Sequence, residues 1–295
     1  MTTLITGSAG LIGSRLHRRL AEDAEVIGLT HQECDICDYD AVLHSIKLYR
    51  PGTVFHLAAH LPSTPDPDFI KVNVTGTSNL LEACYQNGVK NFIYASSMSV
   101  YSAPPEYLPV NEAHPAKATD LYGKTKFIGE LLCGRYSGMM KTVIVRFSSV
   151  FGLGDNSRVA CRFMQSAVSG QAIQVDGDGS PSSDFIYVDD ATRGVILAME
   201  RGKSGEVYNI GSGKETSVLE LANLIAELGE PNVEVRLSGK PATRPFRFVA
   251  DIGKARKELG YCPGDLADGL RRYRKEMIYD GLSGNKGLLG KEQRT

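Results

Sequence analysis

At 295 residues, with 42% hydrophobic and 23% charged side chains, the chain has the makeup of an ordinary globular protein, long enough for one large core or two coupled ones. A formal net charge of -1 excludes the basic footprint of a nucleic-acid binder, and no apolar run approaches the ~20 residues needed to span a bilayer. The opening "MTTLITGSAG" lacks the charged and long apolar regions of a signal peptide, so a cytoplasmic protein without membrane partners is expected.

In chain order, "TTLITG" reads as a short buried strand ending in glycine, and "LIGSRLHRRLAED" follows with helical periodicity. Then come "AEVIGL" (strand), "DYDAVLHSIKLYR" (helix), "TVFHLAA" (strand) and "VNVTGTSNLLEACYQNG" (helix). "NFIYASS" (strand), "LYGKTKFIGELLCGRYS" (helix) and "KTVIVRFSS" (strand) complete the series. Strand–helix alternation with near-continuous apolar strands predicts an α/β protein built on a doubly wound, mostly parallel sheet. After residue 150 the texture becomes rich in Gly, Asp and Ser. We expect residues 1–150 and 184–202 to form the sheet domain, 151–183 and 203–278 a smaller region, and 279–295 a weakly ordered tail.

The first strand–turn–helix carries "TGSAGLIG", with Gly7, Gly10 and Gly13 spaced for a phosphate-binding turn. One glycine permits the tight turn, one lets backbone approach a pyrophosphate, and one lets helix and sheet pack closely. The helix N-terminus adds free N–H groups and a partial positive charge. Geometry alone is the competing explanation; the position in the first βα unit favours dinucleotide binding. Cys34 and Cys37 form a CxxC, but no second pair stands at ligand spacing, so the six cysteines read as structural and no metal is expected.

Taken together, "TGSAGLIG", "CDICD", "FHLAA", "NVTGTSNLLEAC", "NFIYASSMSVY", "YGKTK", "VRFSSVFG", "SSDFIYVDDA", "VYNIGSG" and "ADIGKARKELGY" resemble the extended short-chain dehydrogenases/reductases, over about residues 3–265. That family includes the NAD-dependent nucleotide-sugar epimerases and dehydratases. The resemblance implies a seven-stranded Rossmann-type sheet with a small C-terminal α/β substrate-binding region. It also implies a homodimer formed through helices at about 74–87 and 121–137.

The same resemblance makes Tyr122 of "YGKTK" the acid/base, with Lys126 beside it and Ser97 in the catalytic hydroxyl position. Ser96 and Ser99 are the neighbouring alternatives. The spacing is independently sensible, because residues i and i+4 share a helix face. An ammonium near a phenol favours the phenolate and lowers its pKa from ~10. For the cofactor, the resemblance implies contacts from Gly7, Ala9, Gly10, Leu11, Ile12 and Gly13, and from Asp35 and Ile36 at the adenine. Leu57, Ala58 and Ala59 would lie beside the pyrophosphate. Asn73, Tyr122, Lys126, Phe147 and Ser148 complete the cofactor set. At the end of the second strand, where many NAD-binding members have Asp, Thr30 and His31 stand instead. NAD is expected; without a repelling carboxylate at that position NADP(H) is admissible, although no arginine marks a 2′-phosphate site.

Dehydratases of this family carry an acid and a carboxylate base in the two positions after the catalytic hydroxyl; here these are Met98 and Ser99, which cannot eliminate water. The expected activity is a nucleotide-sugar 4-epimerase. The alternatives are an NAD(P)H-dependent reductase of a nucleotide-linked 4-keto sugar and a non-catalytic dinucleotide sensor. The substrate would meet Ser97, Met98, Ser99, Tyr122 and Ser149. Ser149 and Ser183 replace the family's usual Asn and Arg, leaving Arg158, Lys240, Arg244 and Arg247 as candidate ligands for a nucleotide diphosphate.

Overall fold

The structure, a computed structural model, describes residues 2–64, 68–155, 158–229, 233–242 and 247–282. The chain opens with β1 (Thr3–Thr6), α1 (Leu11–Leu20), β2 (Val26–Leu29), α2 (Tyr39–Tyr49) and β3 (Thr53–His56). A π-helical turn (Lys71–Gly76) leads into α3 (Thr77–Gln86), followed by β4 (Asn91–Ser97), a 3-10 turn (Met98–Val100), α4 (Leu121–Tyr136) and β5 (Lys141–Phe147). Next come β6 (Ser149–Phe151), α5 (Val159–Val168), β7 (Ile173–Val175), β8 (Ser182–Ser183), β9 (Phe185–Tyr187) and α6 (Val188–Arg201). The last elements are β10 (Val207–Ile210), β11 (Thr216–Ser217), α7 (Val218–Ala226), β12 (Val235–Leu237), α8 (Gly253–Leu259) and α9 (Leu266–Leu282).

The main sheet runs β10-β5-β4-β3-β1-β2 with every neighbouring pair parallel. Strands β3 and β5 are buried along almost their whole length, not on alternate residues, because helices cover both faces. On one face α1 packs beside α6; on the other α2, α3 and α4 pack in sequence. Helix α6 shows how the sequence drives this. Val188, Ala191, Thr192, Val195 and Ala198 recur at helical spacing and are all buried. Each buried large aliphatic side chain stabilises by about 1.5–3 kcal/mol relative to exposure.

Three features differ from the sequence reading. The sheet has six strands, not seven, because segment 30–38 folds as turns and Asp38 at once caps α2, accepting from Asp40 and Ala41 N–H; β2 is therefore an edge. Strand β10 lies within 203–278, yet it joins the main sheet, pairing Val207 with Ile144 through to Ile210 with Phe147, since Tyr208 and Ile210 are core residues. Helix α9 continues through 279–282 into the span expected as tail; residues 283–295 lie outside the described residues. Among the described residues, no helix is long and apolar enough to cross a membrane.

The smaller region is assembled from α5, α7 and the two-stranded pairs β7/β12, β8/β11 and β6/β9. Since β6 follows directly on the end of β5, this region stands at the C-terminal edge of the parallel strands. In open α/β sheets ligands bind in the crevice at that edge.

Candidate active site

The glycine turn joins β1 to α1. Gly7 has φ of +71°, and a Cβ there would lie 2.7 Å from Ala58 N. A Cβ on Gly13 would meet Gly7 O at 2.1 Å, so the first turn of α1 is pressed against the loop. Gly10 caps α1 without a side-chain hydrogen bond, and the first helical turn holds no acidic residue. No acidic residue of that turn competes for its N–H groups and dipole, which suits the pyrophosphate of a dinucleotide. Ala9 and Gly10 are exposed, Leu11 and Ile12 half-buried, and Leu57, Ala58 and Ala59 border the turn at the end of β3.

Beside the turn, a groove of about 680 Å³ runs along α1 and the edge strand β2, lined by Ser8, Ala9, Arg18, Gly28, Thr30 and Glu33 among others. Arg18 and Glu33 were not foreseen from sequence, although "THQE" has the spacing of a capping box. His31 projects into solvent, 3.8 Å from Asp35. The Cys37 N–H holds the Asp35 carboxyl below the usual carboxylate range. Ile36 is not at the groove: its side chain is buried against Gly76, and its carbonyl accepts from Asn79 Nδ2.

The catalytic candidates converge where β4 gives way to its short turn. Ser97 Oγ accepts the Ser99 N–H at 3.1 Å and donates to Ser99 Oγ at 3.2 Å. Ser96 is committed elsewhere, donating to Glu130 Oε1 at 2.5 Å in the interior. That carboxylate takes a bidentate fork from Arg146 at 2.9 and 2.6 Å, and a third guanidinium nitrogen donates to Tyr101 OH at 2.8 Å. Met98 is buried, and neither Met98 nor Ser99 offers a carboxyl group.

Helix α4 is seated on this turn. Asp120 caps it, accepting the Gly123 N–H at 2.7 Å. A Cβ at Gly123 would fall 2.0 Å from Ser99 O, so only glycine lets the helix approach so closely. Tyr122 sits in the first turn with its ring 6.0 Å from that of Phe69. Lys126, one turn on, is only 3% exposed, and its ammonium lies 4.4 Å from the centroid of the Tyr94 ring. Burial pushes the Lys126 pKa down to about 8, against the opposing pull of the Glu130 carboxylate. Gly129 makes room for Tyr94, since a Cβ there would meet its hydroxyl at 2.1 Å.

Behind the site runs a buried polar chain. Thr77 Oγ1 donates to Asn73 O at 2.7 Å, so it accepts from His56 Nε2 at 2.9 Å; Nδ1 of the neutral ring then accepts from Thr6 Oγ1 at 2.8 Å. Burial holds the His56 pKa down to about 3, with the Lys126 charge adding to the effect. Asn73, in the π-helical turn, accepts the His60 N–H and donates to His60 O and to Thr125 Oγ1. Thr125 in turn donates to Tyr122 O at 2.9 Å. The C-terminal ends of β1 and β3 are thereby linked to the helix that carries Tyr122.

On the substrate side, Ser149 and Ser183 are brought together, their hydroxyls 2.7 Å apart. Ser148 donates to the fully buried Asp184, which also accepts from Ser212, Gly213 and Ala250, and Phe147 belongs to the core. Arg158 precedes α5 and donates to Val150 O at 2.8 Å. Arg247 is spent on a bidentate pair with Glu215, at 2.6 Å in both bonds. Arg244 lies outside the described residues.

A family model described as the NAD dependent epimerase/dehydratase family matches residues 3–211. A UDP-glucose 4-epimerase of Mycolicibacterium smegmatis is 31% identical over 312 residues, covering 92% of this chain and 97% of its own. The crystal structure of a Thermotoga maritima UDP-glucose 4-epimerase with UDP-glucose matches with a TM-score of 0.88 at 29% identity, covering 95% of this chain and 99% of its own. A Thermus thermophilus UDP-glucose 4-epimerase in complex with NAD matches with a TM-score of 0.84 at 26% identity, over 94% of this chain and 99% of its own.

Proposed function

The chain belongs to the NAD-dependent epimerase/dehydratase family of enzymes, and from that premise we propose that it is a nucleotide-sugar 4-epimerase with Tyr122 as its acid/base. The observation that carries the reading is the turn after β4. It offers the Ser97 and Ser99 hydroxyls and no carboxyl group, and the Tyr122 helix is clamped onto it at Gly123. Hydroxyls and a phenol can shuttle the proton of a sugar hydroxyl; elimination of water would need an acid and a base that Met98 and Ser99 do not supply.

NAD, held when bound by the glycine turn of Gly7, Gly10 and Gly13, would supply a reversible hydride acceptor for sugar C4. The chain's own residues do the rest. Ser97 hydrogen-bonds the C4 hydroxyl, and Tyr122 takes its proton and later restores it. The Lys126 ammonium, on the same face of α4, favours the phenolate electrostatically. Its pKa of about 8 keeps it mostly charged at neutral pH. Asn73 and Thr125 fix the first turn of α4 against the end of β3.

The substrate is a nucleotide-diphosphate sugar, and UDP-hexoses stand first among those to test because the similar enzymes bear that name. Tyr85, Ile128 and Leu131 leave a partly exposed apolar face on α3 and α4, which supports a homodimer. The test is to incubate the protein with UDP-, dTDP-, GDP- and CDP-hexoses and follow the C4 epimers by NMR. Epimerisation without net nicotinamide consumption supports the reading. Stoichiometric NADH or NADPH oxidation with a 4-keto-6-deoxy sugar would replace it by a reductase.

A further inference from the structure

We propose that Glu130 is a positioning residue for the reaction, the buried counter-charge that keeps the Lys126 ammonium charged and in place beside Tyr122. The inference rests on the roles given above to Tyr122 and Lys126. Glu130 stands one turn beyond Lys126 on α4, so the two share a helix face, and both are buried, at 5% and 3% exposure.

Sheet register brings the partners of Glu130 together. β4 and β5 pair Ser96 with Arg146, and paired residues on neighbouring strands stand on the same sheet face, here the one that α4 covers. Glu130 Oε1 accepts from Ser96 Oγ at 2.5 Å and from Arg146 Nε at 2.9 Å, and Oε2 accepts from Arg146 Nη2 at 2.6 Å. These bonds fix the carboxylate and fasten the middle of α4 to the ends of both strands.

A buried ion pair adds little stability over well-packed apolar side chains, because desolvation offsets its attraction. Stability alone therefore gives no reason for a carboxylate here, whereas the electrostatics of Lys126 does. Burial works against the ammonium, and two groups further along α4 oppose it, Cys133 and Glu130. Cys133 would do so only as a thiolate, and burial pushes its pKa far up. His56 of β3 is held neutral, and burial also raises the pKa of Tyr94 of β4. Tyr122 lies one turn before Lys126 on the same helix. Of the charged groups on the other elements against α4, Lys71 of the π-helical turn acts on Asp35, and Glu82 of α3 accepts from Tyr136 OH at the far end of the helix. Among the described residues, Glu130 is thus the carboxylate set against the Lys126 ammonium at neutral pH.

The test reads Lys126 directly. Lysine labelled with ¹³C at Cε is incorporated, the Lys126 resonance is assigned by its loss in Lys126→Met, and its titration is followed by NMR in wild type, Glu130→Gln and Ser96→Ala. Glu130→Gln keeps an acceptor oxygen and removes the charge. It is expected to lower the Lys126 pKa by about one unit and to carry the alkaline limb of turnover down equally, with KM within about twofold of wild type. Ser96→Ala removes a tie and no charge, so the Lys126 pKa is expected to stay in place. A Lys126 pKa unchanged in Glu130→Gln, or lowered equally by Ser96→Ala, overturns the proposal. If circular dichroism shows that Arg146 without its partner keeps Glu130→Gln from folding, the double variant Glu130→Gln/Arg146→Gln replaces the pair by amides and is read in the same way. Failure of the double variant to fold makes the pair a requirement of the fold and also overturns the proposal. Because the titration needs no substrate, an inactive wild type counts against the epimerase reading and leaves this result standing.

Discussion

Replacing Lys126 with Met separates what the site needs from what the fold prefers. The ammonium is buried, and its pKa falls from 10.5 to about 8 chiefly through burial. That drop corresponds to about 3 kcal/mol held against the folded state at neutral pH. Between pH 8 and 10.5 the unfolded chain keeps a proton that the folded chain has released, so stability rises with pH across that window. Below pH 8 the whole penalty is present. Methionine has a similar reach and no charge to desolvate. Lys126→Met is therefore expected to be more stable than wild type at pH 7, by up to about 3 kcal/mol, with the advantage fading toward pH 10. Its turnover should fall by about 100-fold or more, because a fixed charge beside the acid/base is lost. Urea unfolding of both proteins at pH 7 and pH 10, followed by circular dichroism, reads the difference directly. A variant that is no more stable at pH 7, or a gap that does not move with pH, would refute the claim that Lys126 is a buried cation.

Tyr122→Phe should fold normally and lose about 10²–10⁴ in turnover, read by NMR epimerisation assays, since only the ionisable oxygen is removed. His56 supplies a pH prediction: its pKa lies near 3 in the folded chain, so the unfolded chain takes up a proton between pH 6.5 and 3 that the folded one refuses. Stability should drop by about 2–3 kcal/mol between pH 6.5 and 4.5 on this account, and His56→Asn should flatten that slope in urea titrations. Thr77→Val leaves the His56 N–H without its acceptor and should cost about 1–3 kcal/mol, measured at pH 7. Gly13→Ala would press a methyl to within 2.1 Å of Gly7 O, so the turn must shift and NADH affinity should fall at least about tenfold in fluorescence titration.

Much of this site is local, and that is why it was legible. The Gly7, Gly10 and Gly13 spacing dictates a turn whose backbone clearances can be anticipated one residue at a time. Tyr122 and Lys126 share a helix face by spacing alone. The resemblance already preferred Ser97; that Ser96 is drawn instead to Glu130, 34 residues distant, appears only in three dimensions. The turn after β2 is less legible: Thr30 and His31 stand at the strand end, and only the fold shows Glu33 turning back to accept the Thr30 N–H. Arg247 looked available as a phosphate ligand, but its partner Glu215 stands 32 residues away in sequence. The π-helical turn at 71–76 had no visible signature, because "KVNVTG" reads as ordinary helix; its consequence, Asn73 turned inward onto His60 and Thr125, emerges only from packing. The expected seventh strand failed for want of chain, since segment 30–38 passes directly from β2 to α2.

The most direct test of the central claim is to run the reaction in D₂O with each nucleotide hexose and inspect C4 of the recovered epimer by NMR. Proton transfer confined to the oxygen, through Tyr122 and Ser97, predicts that C4 keeps its original hydrogen while the free nicotinamide pool stays unchanged. Deuterium at C4, or product formed only with matching loss of NADH or NADPH, would contradict it.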